Sequence, residues 1–222
     1  MAYCYTFPHP AVTTDIVVFT IIDDRLKVLL VERVTPPFQG HWALPGGFLQ
    51  LHENLDGCAR RELAEKTDLT DLYLEQLYTF GRIDRDPRER VITVAYMALV
   101  RACNAPLRPD SGEPRTCWFP VKTLPRLAFD HQEIIQLAHQ RLLAKSRYST
   151  IALQLLPAQF TLGELQKVYE IIQDETLDKR NFRKWVLSIQ CLRETGEVRR
   201  KAGRRPAKLY EPQRRETVEF IR

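Results

Sequence analysis

At 222 residues, with 44% hydrophobic and 27% charged side chains, the chain has the length and composition of a soluble globular protein with one large domain or two small ones. The longest apolar stretch, Ile92–Val100, reaches about half the length of a bilayer span, and Met1–Tyr5 lacks the basic-then-apolar order of a secretory signal. A membrane role is therefore not expected and a cytoplasmic location is. The five cysteines are scattered and form no C-x-x-C pair, which speaks for reduced thiols and against a cysteine-held metal. The net charge of +5 is unevenly spread: residues 1–145 carry 17 basic and 18 acidic side chains, residues 146–222 carry 16 and 10. Within Lys179–Arg215 there are 13 basic and 3 acidic residues, the asymmetry of a polyanion-binding module.

In chain order, Asp15–Thr20 and Lys27–Glu32 are rich in Val, Ile and Leu and flank the turn Asp23-Asp24-Arg25, which predicts a β-hairpin. A Pro- and Gly-punctuated loop, Pro36–Gly47, follows. Leu55, Cys58, Ala59 and Leu63 then recur at helical spacing and predict a helix over Leu55–Thr67. Leu72–Phe80 and Val91–Val100 read as strands, and Gln132–Ala144 as an amphipathic helix. The acidic-to-neutral part gives way to the basic part near Ala144–Tyr148, which suggests an α/β domain over 1–145 and a second domain over 146–222.

Chemistry concentrates between Gly46 and Leu69. Gly47 allows a tight backbone before the helix, and Glu62 and Glu65, three apart, share a helix face where oxygen ligands can hold a hard divalent cation. Such an ion neutralises a diphosphate and orients an attacking water. Two glutamates on a helix are also an ordinary solvated face. The whole stretch resembles the Nudix box, G-x5-E-x7-R-E-U-x-E-E-x-G-U with U aliphatic: Gly47, Glu53, Arg61, Glu62, Leu63, Glu65 and Leu69 stand in register. The lead-in Phe38–Phe48, the run Asp84–Arg88 before Val91–Tyr96, and Leu127–His131 extend the resemblance to ADP-ribose-type Nudix proteins over about Val12–Leu143.

Two positions depart from the pattern. Lys66 stands where the second glutamate of the pair belongs, and Asp68 replaces the late glycine. An ammonium at Lys66 offers a metal no lone pair and sits i+4 from Glu62, with which it can pair. No catalytic residue and no required cofactor or metal are therefore expected; Mg²⁺ enters only if hydrolysis persists, with Glu62 and Glu65 as ligands or Glu89 as a substitute carboxylate. Ligand binding can outlast catalysis. The resemblance implies a sugar-nucleotide pocket with Arg33, Phe38, Trp42, Phe48, Arg82 and Arg88 as candidates, Trp42 and Phe48 being equally suited to core packing.

In the basic part, Thr161-Leu162-Gly163-Glu164 is a capping box opening a helix with Leu165, Val168, Tyr169 and Ile172 on one face. Asp178 caps a second helix over Lys179–Gln190, whose apolar stripe is Phe182, Trp185, Val186 and Ile189. Lys179, Arg180, Asn181, Arg183 and Lys184 lie outside or beside that stripe in the first turns, suited to a DNA major groove. Val198–Lys201, the turn Ala202–Pro206 and Ala207–Tyr210 predict a hairpin whose Arg200, Lys201, Arg204, Arg205 and Lys208 can meet phosphates, the wing of a winged helix-turn-helix.

A Nudix α/β/α sandwich followed by such an α+β domain resembles the NrtR family of Nudix-related regulators of NAD metabolism. The runs Leu177–Lys184 and Gly203–Tyr210 carry that likeness together with the degenerate box. The resemblance implies a homodimeric repressor of NAD synthesis or salvage genes. It would bind a palindromic double-stranded DNA operator and be released by ADP-ribose or a related NAD-derived nucleotide. Two other readings stay open: an active or bifunctional ADP-ribose pyrophosphatase with an accessory nucleic-acid-binding domain, and an RNA-processing Nudix protein.

Overall fold

A computed structural model describes residues 6–67, 72–104, 115–200, 206–214 and 218–220. Strands β1 (Ala11–Ile22) and β2 (Arg25–Glu32) form the expected hairpin. Its turn residues Asp23 and Asp24 have φ of 54° and 56°, the left-handed pair that a two-residue hairpin turn demands. Next come β3 (Trp42–Ala43), β4 (Gly46–Phe48), α1 (Leu55–Thr67), β5 (Tyr73–Phe80), β6 (Val91–Leu99) and β7 (Thr116–Pro120). The seven strands make one mixed sheet in the order β3-β2-β1-β6-β5, with β4 also on β1 and β7 on β2; β1 and β6 are parallel, and the other pairs antiparallel.

Alternation along β1 divides the core. Ile16 and Val18 join Leu29, Val94, Tyr96 and Ala98 beneath Ala59 and Leu63 of α1. Val17 and Phe19 join Val28, Leu30, Ala95 and Met97 on the opposite face, under Ile134, Ile135, Ala138 and Leu142 of α2 (His131–Tyr148). This is an α/β/α sandwich. Burial on both faces explains why β1 and β6 read as near-continuous apolar runs.

α2 begins one residue before the expected start and runs four beyond the expected end, so the chain crosses residues 144–148 without a break. A short 3₁₀ helix (Ile151–Leu155) leads to β8 (Phe160–Thr161), α3 (Leu162–Gln173), α4 (Lys179–Ser188), β9 (Leu192–Arg199) and β10 (Ala207–Pro212). The last three strands pair in the order β8-β10-β9, giving helix, helix and hairpin wing. The capping box is formed: the Thr161 hydroxyl accepts from the Glu164 N–H at 3.2 Å, and the Glu164 carboxylate accepts from the Thr161 N–H at 2.9 Å. Asp178 accepts from the Asn181 N–H at 2.8 Å and starts α4 where expected. The helix stops at Ser188, two residues early, because Gln190 turns left-handed at φ 57°.

Ile151, Phe160, Leu165, Tyr169, Ile172, Phe182 and Val186 continue the cluster that begins with Val17 and Phe19, so the winged helix and the sandwich share one core. Ion pairs Lys122–Asp174 (2.6 Å) and Lys167–Asp24 (3.7 Å) cross between the same two parts. At the far end of α2, the Tyr148 ring stacks on Phe220, and Ser149 bridges to Phe220. Among the described residues, no helix is long and apolar enough to cross a membrane.

Candidate functional site

α1 presents the box residues on one side. Arg61 donates to both Glu53 oxygens (2.8 and 3.0 Å) and to Glu62 Oε1 (2.7 Å), and it pulls the Glu53 carboxyl down to about 2. The other Glu62 oxygen is taken by Lys66, with Nζ 2.7 Å from Oε2. Lys66 also donates to the Gly46 carbonyl. A Cβ on Gly47 would lie 2.1 Å from Glu62 Oε1, so any side chain there would displace that carboxylate. Each oxygen of Glu62 is thus paired with a cation. Glu65 is exposed and turned to Arg61 at 3.4 Å. Glu89 is exposed and outside the neighbouring cavity, and no cluster of three His, Cys, Asp or Glu side chains suited to a metal occurs among the described residues. The donor set does not fit a divalent cation. Asp68 and Leu69 lie outside the described residues.

Beside the box, the strand ends β1, β2 and β4 and the segment 85–91 enclose a cavity of about 340 Å³. It gathers Arg33, Phe48 and Arg88 of the expected set, and adds Lys66, Arg85, Phe129 and His131. Arg33 Cζ lies 4.8 Å from the centre of the Phe129 ring, and Arg88 Cζ lies 5.8 and 5.9 Å from those of Phe48 and Phe129. Asp86 orients Arg88 through both carboxylate oxygens and also accepts its backbone N–H. Arg33 is held by the carbonyls of Pro37 and Thr35, with no carboxylate partner among the described residues. Burial and the adjacent Arg88 cation pull its pKa below the ordinary value, so an anion entering here relieves an existing repulsion.

Phe38 packs edge-on against Phe129 at 4.9 Å and so stands behind the cavity wall; both hold left-handed backbone, at φ 63° and 52°. Such strain in non-glycine residues persists where the surroundings enforce it. Trp42 and Arg82 are not brought to the cavity. The Trp42 ring packs on Phe119 of β7 at 4.7 Å, and Arg82 points outward to Asp84 and Glu133.

The cavity floor is a buried ionic network that joins the Asp84–Arg88 and Leu127–His131 runs to β1, a pairing that no spacing in the sequence announces. Arg85 donates to both oxygens of Asp130 (2.7 and 2.9 Å) and to Asp15 (3.1 Å). Burial opposes its charge, yet the two carboxylates hold its pKa above the ordinary value. His131 Nδ1 accepts the Leu44 N–H at 2.9 Å, which puts its proton on Nε2, 3.5 Å from Asp15 Oδ1. Burial lowers the His131 pKa against the pull of Asp15 and Asp130. The folded protein therefore holds His131 neutral while the unfolded chain takes up a proton below about pH 6.5. Stability is full above that value and falls as pH drops toward the folded-state pKa. His131→Asn keeps an acceptor for Leu44 and cannot titrate. Between about pH 7.5 and about pH 5.5 it should lose less stability than the wild type in urea unfolding, and equal losses would refute the assignment.

A larger cleft, about 590 Å³, lies between the β1–β2 turn, β7 and the end of α3. Its lining balances Arg25, Lys122 and Lys167 against Asp24, Glu170, Asp174 and Glu175 and offers no Phe, Tyr or Trp. The smaller cavity, with aromatic faces and a guanidinium that has no carboxylate partner among the described residues, has the lining better suited to a nucleotide despite its size.

The second surface is α4. Phe182 and Val186 are buried, and the rings of Phe182 and Trp185 stand edge-on to Tyr169 at 5.5 and 5.3 Å. That packing turns Lys179, Arg180, Asn181, Arg183 and Lys184 outward, all exposed, and the four cations have no ion-pair partner among the described residues. Arg200 is likewise exposed. Lys208 is exposed but paired with Glu194 across the hairpin at 2.8 Å. Arg199 ties the wing to the capping box through Glu164 (2.5 Å). Lys201, Arg204 and Arg205 lie outside the described residues.

Comparison with known proteins matches the two halves separately. Residues 12–138 match the NUDIX domain, and residues 152–211 match the NrtR DNA-binding winged helix domain. The ADPR responsive transcriptional repressor NtrR of Acinetobacter baylyi is 38% identical over 208 residues, covering 92% of this chain and 82% of the relative. The crystal structure of Shewanella oneidensis NrtR complexed with a 27mer DNA superposes with a TM-score of 0.83 at 39% identity, over 91% of this chain and 93% of that one. The NUDIX domain of the same protein, complexed with ADP ribose, superposes at 0.56 and 40% identity over 61% of this chain and 90% of that domain. With one relative aligned across both halves and each half matched by its own domain model, the chain belongs to the NrtR family of transcriptional repressors.

Proposed function

We propose that this chain is a ligand-responsive transcriptional repressor that binds a palindromic double-stranded DNA operator as a homodimer and is released by ADP-ribose or a closely related NAD-derived nucleotide. In this reading residues 1–145 bind the effector and residues 146–222 bind DNA. The genes controlled are those of NAD synthesis or salvage, since the effector is itself an NAD breakdown product. Hydrolysis is not part of the function, because Glu62 spends both oxygens on Arg61 and Lys66.

The observation that carries the reading is the outward face of α4, where an amide and four cations stand exposed with the cations unpaired among the described residues. Such a face suits phosphates along a major groove, with Arg and Asn able to read base edges. The cavity supplies the other half: a guanidinium between aromatic faces accepts an adenosine diphosphate sugar. A ligand acts as inducer only through different affinities for the DNA-competent and DNA-free arrangements.

Fluorescence anisotropy with a palindromic operator duplex tests both halves at once. Tight binding that survives excess non-specific DNA, and that ADP-ribose reverses, is the expected result. Binding that ignores sequence, or that prefers structured RNA, would overturn the proposal.

A further inference from the structure

We infer that the Lys66 ammonium does for the effector's diphosphate what a divalent cation does in a hydrolase, so that the effector binds without metal. The inference rests on the nucleotide reading of the cavity given above. Among the described signature positions of the box, only Gly47 and Lys66 line the cavity. Its Nζ is fixed at two points, Glu62 Oε2 at 2.7 Å and the Gly46 carbonyl. An ammonium has three donors, and these are its only acceptors among the described residues. The third N–H is left for an anion in the cavity that Lys66 lines.

The charges around it follow the same design. Glu62 neutralises the resting lysine from behind, as it would help neutralise an ion. Arg61 takes the other Glu62 oxygen and stops it from competing with the ligand. Arg33 and Arg88 face the same space. A diphosphate entering there meets one fixed ammonium and two guanidiniums, with no dehydration of an ion needed. A covalently tethered cation also has no off-rate, so the response does not vary with free Mg²⁺. What is lost is an activated water, since an ammonium cannot present one as a bound metal does.

The test is isothermal titration of ADP-ribose into the full chain in EDTA and again in Mg²⁺. The expected affinity is the same within about twofold in the two buffers, because no ion takes part. Lys66→Met should weaken binding at least about tenfold in both. Lys66→Glu should bind poorly in EDTA and regain affinity when Mg²⁺ or Mn²⁺ is added, because a carboxylate beside Glu62 rebuilds an oxygen site. Should Lys66→Met unfold for want of a partner for Glu62, the double variant Glu62→Gln/Lys66→Met removes both charges and should show the same loss. Wild-type binding that requires metal, or unchanged affinity in a folded Lys66 variant, overturns the inference. Inorganic pyrophosphate separates it from the nucleotide reading. Pyrophosphate that raises the melting temperature of the wild type in EDTA, but not that of the Lys66 variants, upholds the role of Lys66 even if ADP-ribose does not bind. Stabilisation by neither ligand overturns both.

Discussion

Arg85→Ala should destabilise the protein by about 3–5 kcal/mol, measured as a shift in the urea midpoint at constant slope. Arg85 is 4% exposed and is held by Asp130 and Asp15, themselves 4% and 8% exposed. Truncation removes one cation and leaves two buried carboxylates facing one another, and breaking a buried network from one side costs far more than the network contributes as a whole. The orphaned carboxylates can recover by binding protons, so the gap between variant and wild type should narrow as pH falls toward about 5. Arg85→Lys keeps a charge but not the planar fork on Asp130 and should fall between the two. A loss below about 1 kcal/mol for Arg85→Ala would show that the cavity floor does not depend on this network.

The second large effect concerns DNA. Replacing Arg180, Arg183 and Lys184 together by alanine should reduce operator affinity at least about 100-fold near physiological salt. The dependence of log affinity on log salt should flatten by about 0.9 for every phosphate contact removed. Since all three side chains are exposed and α4 is anchored by Phe182 and Val186, the fold should be nearly unaffected. ADP-ribose affinity should also be unchanged. Operator affinity within about threefold of wild type would remove α4 from the interface, and a matching loss of effector affinity would show that the two sites are not separable.

Where local physics decided the outcome, the sequence was readable. Leu55, Cys58, Ala59 and Leu63 marked α1 from its first residue to its last, and Thr161, Glu164 and Asp178 marked both helix starts of the winged domain. β7 escaped notice. All five of its residues are half-buried, so no alternation shows, and it exists through pairing with β2 some 89 positions away at Leu29–Trp118. The fate of Trp42 followed from the same gap, because its ring lies on Phe119 of that unread strand. Arg82 and Arg88 look alike as loop arginines; what separates them is which carboxylate holds each, Asp84 and Glu133 on the outside or Asp86 beside the cavity. The runs that hold Arg85 and Asp130 stand out by resemblance, but their pairing does not, since Arg85 meets partners 45 and 70 residues away. Lys66 is different again. It was legible as a missing carboxylate, and its bond to the Gly46 carbonyl shows that it also has a place to be.

α2 has a mechanical meaning. Its first residue, His131, lies in the wall of the cavity beside the box, and its last, Tyr148, lies against Phe220 of the C-terminal segment. Between them runs an unbroken rod of 18 residues, about 27 Å long. Were this rod to pivot by about 5° at the cavity, its far end would swing by about 2 Å. Because the winged helix shares its core with that far end, it would be carried as a solid body. α4 would change its aim without losing a turn.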